Sequence, residues 1–373
     1  DYVKVCDAYG AGFFYIPGSD TCLRIGGFVR AEYRFYGQSR ARTALLPNAG
    51  WNTRAQNGMS TRARVDLMLD ARTNTEMGLL RSFVEVWLTQ DTGRPLDTSL
   101  RKAFVQFGGL TAGRAFSYFD YFTFGIGITN SYNLISTAFS EVNLLAYTFR
   151  LGNGLTATVS LEDPTTSNEP AIAPNLGYRR AYGPYGGLKS PDVVANLALS
   201  QPWGSAQVMG VLHDDYGDDT VRDDKWGYAF GAGVKVKLPM LGAGDEIGGQ
   251  VAYGKGALGY VASGVWTVNT PYNDFAAVGG HVEQASAWSV AGGFNHNWTS
   301  TISTGIGGSY LHYDAPAGST LADFSQTDVQ GSIRWKPAAG IAFTAAVEYR
   351  KVDRAVLADG DGLIGFLRVQ RDF

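Results

Sequence analysis

Arginines recur at alternate positions within short segments of this chain. Arg30 and Arg34 form one such group and Arg62 and Arg64 another; Arg81 and Arg114 continue the series, and Arg350 and Arg368 repeat it near the C-terminus. Arginine outnumbers lysine 22 to 9. A guanidinium stays charged at any relevant pH and presents a fixed fork of donors to planar anions. The chemistry open to such a set is electrostatic: attracting, holding or steering ions. Glu32, Asp66 and Glu85 lie close enough in sequence to pair with some of these arginines, and Glu348 and Asp372 stand beside the late ones. Little supports catalysis. His213, His281, His296 and His312 sit on separate segments without the paired spacing of a metal site. Ser309 and His312 are the only local serine–histidine neighbours, and no third group supports them. Gly125 and Gly127 lack the third glycine and the βαβ setting of a nucleotide fingerprint. The acidic stretch at 213–224 lacks EF-hand spacing and reads as a solvated loop. No catalytic residue, metal or cofactor is therefore expected, and a net charge of −3 suggests no nucleic-acid partner.

The elements that carry the arginines alternate with period two, the mark of strands with one apolar and one polar face. Leu23, Ile25, Val29, Ala31, Tyr33 and Phe35 share one side, and Arg24, Arg30, Glu32 and Arg34 the other. Val65, Leu67 and Leu69 oppose Arg62, Arg64, Asp66 and Asp70, and Val84 and Val86 oppose Arg81, Phe83, Glu85 and Trp87. The same grammar runs through to GLIGFLRVQRDF at the C-terminus and gives 16 strands. Short turns of Gly, Asn or Pro follow the even strands, with one at Lys336-Pro337. Long polar loops follow the odd ones. Charged residues are 17% of the chain, against roughly 25% in soluble domains. No apolar run is long enough for a transmembrane helix. The expected architecture is an all-β, transmembrane, 16-stranded antiparallel barrel with short periplasmic turns and long outer loops. It forms one domain over residues 1–373, with a periplasmic lead at 1–21. A large soluble β protein is the competing architecture. Trp203, Trp298 and Trp335 beside short turns fit an aromatic belt at the lipid interface.

One stretch stands apart. Tyr121 to Ser140 is 20 residues without a charge, between strands carrying Arg114 and Arg150. A loop of that kind needs something to bury against, and we expect it to fold into the lumen as the constriction. Its only charges are Asp120 and Glu141 at its ends. Closure sets the last strand beside the first, so the wall arginines should cluster on one side. Cys6 and Cys22 either close one bridge in an oxidising compartment or remain two buried thiols.

The segment VKVCDAYGAGFFYIPGSDTCLRIGGFVR at Val3–Arg30 resembles the general porins of alphaproteobacteria, the family of the Brucella and Rhizobium porins. GRAFSYFDYF at 113–122 and the terminal LRVQRDF agree with it. The resemblance implies a 16-stranded outer-membrane barrel, a homotrimer surrounded by lipid and lipopolysaccharide, and passive diffusion of small hydrophilic solutes. It also implies an inward third loop at Tyr121–Ser140, a Cys6–Cys22 disulfide and an assembly role for the terminal aromatic, Phe373. The loop departs from trimeric porins in general by having no acid within it, which points to a pore that is weakly anion-preferring or close to neutral. Alternatives are a channel tuned to a solute class such as sugars, with Tyr118, Tyr121 and Phe124 along its path, and a plugged structural barrel or adhesin.

Overall fold

The computed structural model describes residues 3–37, 54, 56–122, 140–166, 179–262 and 272–373. After a single 3-10 turn at Asp7–Tyr9, the two-residue β1 (Phe14–Tyr15) pairs with the start of β2 (Cys22–Tyr36). Then come β3 (Met59–Thr75), β4 (Gly78–Asp91), β5 (Asp97–Phe107), β6 (Leu110–Phe116), β7 (Glu141–Gly152) and β8 (Leu155–Glu162). They are followed by β9 (Asp192–Gln201), β10 (Gly204–Tyr216), β11 (Asp224–Lys237) and β12 (Glu246–Lys255). A small hairpin of β13 (Phe275–Val278) and β14 (His281–Gln284) precedes β15 (Ser286–Asn297), β16 (Ile302–Asp314), β17 (Phe324–Ala338), β18 (Ile341–Arg354) and β19 (Gly360–Asp372).

Without β1 and the β13–β14 hairpin, 16 strands remain among the described residues, each antiparallel to its neighbours. β19 closes on β2, from Ile364 opposite Tyr36 to Asp372 opposite Phe28. Closure leaves no edge, so the ladder satisfies the backbone all the way round. The expected 16-stranded barrel is thus observed, and its longest connections, 37–58, 117–140, 163–191 and 256–285, all follow odd barrel strands. Three details differ. The connection 238–245 after the tenth barrel strand is longer than 92–96 and 355–359 after the third and fifteenth. The β13–β14 hairpin stands within a connection expected to be irregular. The last short turn lies at 339–340 rather than at Lys336-Pro337, because β17 runs on to Ala338. Pairing between β17 and β18 skips 336–337 and resumes at Ala338–Ile341. Proline has no N–H for the ladder, and a bulge absorbs it.

The outer face is apolar. Ile25, Val29, Tyr33 and Phe35 on β2, Leu67 and Leu69 on β3, and Trp226, Tyr228 and Phe230 on β11 are all exposed, as a lipid-facing surface requires. Trp203, Trp298 and Trp335 are exposed at the short-turn end, where an indole has one apolar and one wet side.

The inner face is uneven. On the β9–β17 side, segments 179–185, 256–262 and 272–275 pack against inward residues such as Val211, Ala229, Ala252, Ala287 and Leu311. Small inward side chains make the room. A Cβ on Gly254 would stand 2.8 Å from Cγ2 of Val261, and one on Gly233 would stand 2.2 Å from the Tyr121 ring. The opposite wall, β2–β5 with β18 and β19, carries the clustered arginines.

Cys6 and Cys22 are disulfide-bonded and fully buried. The bridge holds the N-terminal lead at the short-turn end, with the Arg72 guanidinium 5.1 Å from the Phe13 ring centre. Loop closure of this length contributes about 3 kcal/mol to the ordered lead in the chain-entropy model. In the Cys6→Ser/Cys22→Ser variant, amides of residues 3–21 should exchange at least tenfold faster while strand amides keep their protection. Unchanged protection of the lead would show that the bridge is dispensable to it.

Candidate permeation pathway

Side chains alternate across each strand, and cross-strand partners share a face. The row Arg368, Glu32, Arg62 and Asp91 therefore lies on one face, with Gln370, Arg30, Arg64 and Thr89 beside it. That face opposes Ile25 and Leu69 and is the inner one. Glu32 is buried among arginines: Arg34 Nη2 donates to it at 2.8 Å, Arg30 Nη1 lies 3.7 Å away, and Arg368 pairs with it from β19. Arg62 grips Asp91 with two bonds of 2.6 Å. Arg64 donates to Thr89 at 2.8 Å, and its guanidinium carbon is 4.0 Å from the Trp87 ring centre. Towards the short turns, Arg81 and Arg72 share Asp70, at 2.9 and 2.8 Å.

The structure thus brings Arg30, Arg34, Arg62, Arg64 and Arg368 into one patch. Arg81 lies further along the same wall. Arg350 faces inward on β18 but has its own acids: Asp328 at 3.2 Å, and Glu348. Arg114 corrects the expectation of a lumen-facing residue. It is the register partner of Ala103, which pairs with Val84, which pairs with Leu69 on the outer face. Its guanidinium bonds the carbonyls of Leu100 and Thr166 instead. β6 is uncharged apart from this residue, so nothing in the sequence set its parity.

Asp120 and Glu141, at the ends of the uncharged loop, are both buried and paired. Asp120 pairs with Arg179 and accepts the Ser140 N–H at 2.9 Å. Glu141 pairs with Arg101 at 2.7 Å. Sequence reading missed Arg101 because a bulge re-aims it. Glu85 opposes Lys102 and Val86 opposes Leu100, leaving Arg101 the extra residue. The loop body, 123–139, and with it Phe124, Gly125 and Gly127, lies outside the described residues. Its near root does not. Glu162 accepts from Ser117 Oγ at 2.7 Å and from the Tyr118 N–H at 2.9 Å, Asn196 donates to the Tyr118 carbonyl at 2.7 Å, and the Tyr121 hydroxyl meets Ser205 at 2.5 Å.

A second polar cluster lies near the long-loop end. His213 Nδ1 is 2.7 Å from Asp192. Atoms of His213, Asp215 and Asp274 come within 4.8 Å of one another, a spacing that suits a small cation. However, the Tyr185 hydroxyl occupies the centre, 2.8 Å from His213, 3.1 Å from Asp215 and 2.6 Å from Asp274. It fills the place a cation would need, so the cluster is a clasp between strand β10 and the inward segments. Burial, with Asp274 and Asp215 close by, pushes the Tyr185 phenol well above its ordinary value. Burial likewise raises Asp274, against the pull of His213. Within the acidic stretch, Asp218 is bonded to Thr220, and Asp223 accepts the Val282 N–H at 2.9 Å.

The serine–histidine candidate has no geometry for catalysis. Ser309 is register partner to Asp328 on the inner face, whereas His312, three residues on, lies beside outward Trp288. Phe373 is exposed, and its backbone exchanges two hydrogen bonds with Gly27, at 3.2 and 3.0 Å.

A closed 16-stranded barrel, apolar outside and lined by charge within, is an outer-membrane channel. Residues 1–363 match the family model described as the porin subfamily, and the chain belongs to that family. Among curated relatives, Porin Omp2b of Brucella suis biovar 1 is 27% identical over 388 residues, covering 100% of this chain and 91% of that protein. Porin Omp2b of Brucella abortus is 26% identical with the same coverage. The fold is similar to the outer membrane channel DcaP of Acinetobacter baumannii, with a TM-score of 0.76, 17% identity and coverage of 96% of this chain and 99% of that one. Salmonella typhi OmpF superposes with a TM-score of 0.56 at 14% identity and the same coverage. The chain is thus a diffusion porin of the Gram-negative outer membrane.

Proposed function

We propose that small hydrophilic solutes pass between the arginine wall of β2–β5, β18 and β19 and the loop at Tyr121–Ser140, which sets the size limit. The observation that carries this is the division of the inner face. One wall carries the clustered arginines, and the other, among the described residues, is covered by packed loop segments. The bonds from Ser117, Tyr118 and Tyr121 to inward residues of β8–β10 support an inward course for the loop. The lead at 1–21 and the short turns face the periplasm, the chain acts as one domain, and three copies assemble, as the family resemblance implies. No reaction is needed for this role. A sugar-tuned path along Tyr118 and Tyr121 gains no support, since their hydroxyls are engaged by Thr111 and Ser205.

Planar-bilayer recording tests the reading. Purified protein should give long-lived open steps in KCl, with the steps closing in threes at high voltage. A barrel that inserts but never conducts would indicate a plugged structural protein instead.

A further inference from the structure

The inner wall of β2–β5 interleaves aromatic rings with cations. Phe28 has the Arg30 guanidinium 4.3 Å from its ring centre and meets Trp87 edge-on at 6.3 Å. Trp87 in turn carries two guanidiniums, Arg64 and Arg101, each 4.0 Å from its ring centre. Nearer the short turns, Phe83 stacks on Phe104 at 5.3 Å and 17°. Arg81 lies 5.0 and 5.4 Å from those two rings. Arg81, Phe83 and Trp87 share one face of β4, so the series runs roughly 20 Å along the tilted strand. Cations exceed acids at both ends of it: three arginines surround Glu32, and two share Asp70.

Rings on this wall need a reason. On the opposite wall they pack against loop segments, whereas Phe28, Phe83 and Phe104 are half-buried among the described residues. An ion filter requires charge but no aromatic surface. A guanidinium beside a ring suits a solute that has both a carboxylate and a flat ring. The carboxylate accepts charge-assisted bonds, and the ring stacks on phenyl or guanidinium. Trp87 is already covered by its two arginines. Solute contact therefore falls to Phe83–Phe104 with Arg81, and to Phe28 with Arg30, where a carboxylate competes with Asp70 and Gln106 for Arg81 and with Gln370 and Glu32 for Arg30.

We propose that this wall is a binding track for planar aromatic carboxylates. The proposal rests on the channel reading above and deepens it by naming a solute class. Benzoate and cyclohexanecarboxylate have the same charge and similar size, but only benzoate has a π face. In bilayers, benzoate should interrupt the KCl current of the native protein at about threefold lower concentration than cyclohexanecarboxylate, the size of effect one stacked contact gives. Phe83→Leu/Phe104→Leu keeps every arginine and should equalise the two, each read as the fraction of that variant's own KCl current that is interrupted. Equal effects on the native protein, or a preference that survives in the variant, would overturn the track and leave the channel standing. Absence of KCl steps would instead sink the channel reading itself. Should the double variant not assemble, the native comparison alone decides.

Discussion

Replacing Arg62 and Arg64 by Gln is expected to shift the reversal potential of the pore toward cation preference. Arg62 holds Asp91 by two bonds of 2.6 Å. Losing it removes one positive charge and leaves the Asp91 carboxylate on the inner wall. Losing Arg64 removes a second positive charge beside Trp87. A unit charge about 4 Å from a permeating ion is worth ~1 kcal/mol in bulk water and more in a narrow pore. The cation-to-anion permeability ratio should therefore rise about two- to fivefold, read as reversal potential under a KCl gradient. Charges at the mouth are screened over a Debye length near 8 Å at ~0.15 M salt, so the acidic loop weighs less than the wall. The unaltered pore should be weakly anion-preferring or near neutral. Adding Asp91→Asn to Arg62→Gln should undo part of the single change, because the freed carboxylate goes with it. A strongly cation-selective native pore, or a potential that Arg62→Gln/Arg64→Gln leaves in place, would end the arginine-wall account.

The barrel was legible because lipid and water impose opposite demands on alternate residues. Ile25, Val29, Tyr33 and Phe35 against Arg24, Arg30, Glu32 and Arg34 leave only one parity open. Closure then set Arg368 beside Glu32, so the central patch followed from counting strands. Where alternation is weak, so is the reading. β6 is Leu-Thr-Ala-Gly-Arg-Ala-Phe, tolerable on either face, and Arg114 turned out to face outward. A bulge changes parity without changing composition, which hid Arg101. Pro337 looked like the turn itself and is the bulge before it.

Contacts made by long loops were not legible at all. The sequence places Asp120 and Glu141 at the ends of an uncharged stretch but not their partners, Arg179 and Arg101. One trace of those contacts was present. Gly227, Ala229, Gly231 and Gly233 alternate with Tyr228, Phe230 and Ala232 on β11, an inner row with little side-chain volume. Such a row leaves space that another segment must fill, and Tyr121 stands at Gly233. Composition alone offered no means of telling which segment would fill it.

Arg179→Met should loosen the inward loops, and Arg179→Met/Asp120→Asn should restore much of what is lost. Arg179 and Asp120 form an ion pair whose side chains are both fully covered. Arg179 also donates to the Gly259 carbonyl at 3.2 Å and lies 4.6 Å from the Tyr260 ring centre. Asp120 caps the Ser140 N–H at 2.9 Å. The pair therefore joins both roots of the uncharged loop to the segments at 179–185 and 256–262. Removing one partner of a buried pair costs about 3–5 kcal/mol, because the remaining charge stays desolvated and uncompensated. The double change leaves a neutral amide at position 120, still able to accept from Ser140, so the penalty should be far smaller. The 16-stranded ladder does not depend on the pair and should assemble in every variant. The effect belongs in the loops: open-channel current noise and protease cutting at the long-loop end should both rise severalfold in the single variant and fall back in the double. If the single variant matches the native protein in both measures, or the double is no quieter than the single, the pair is not what anchors the loops.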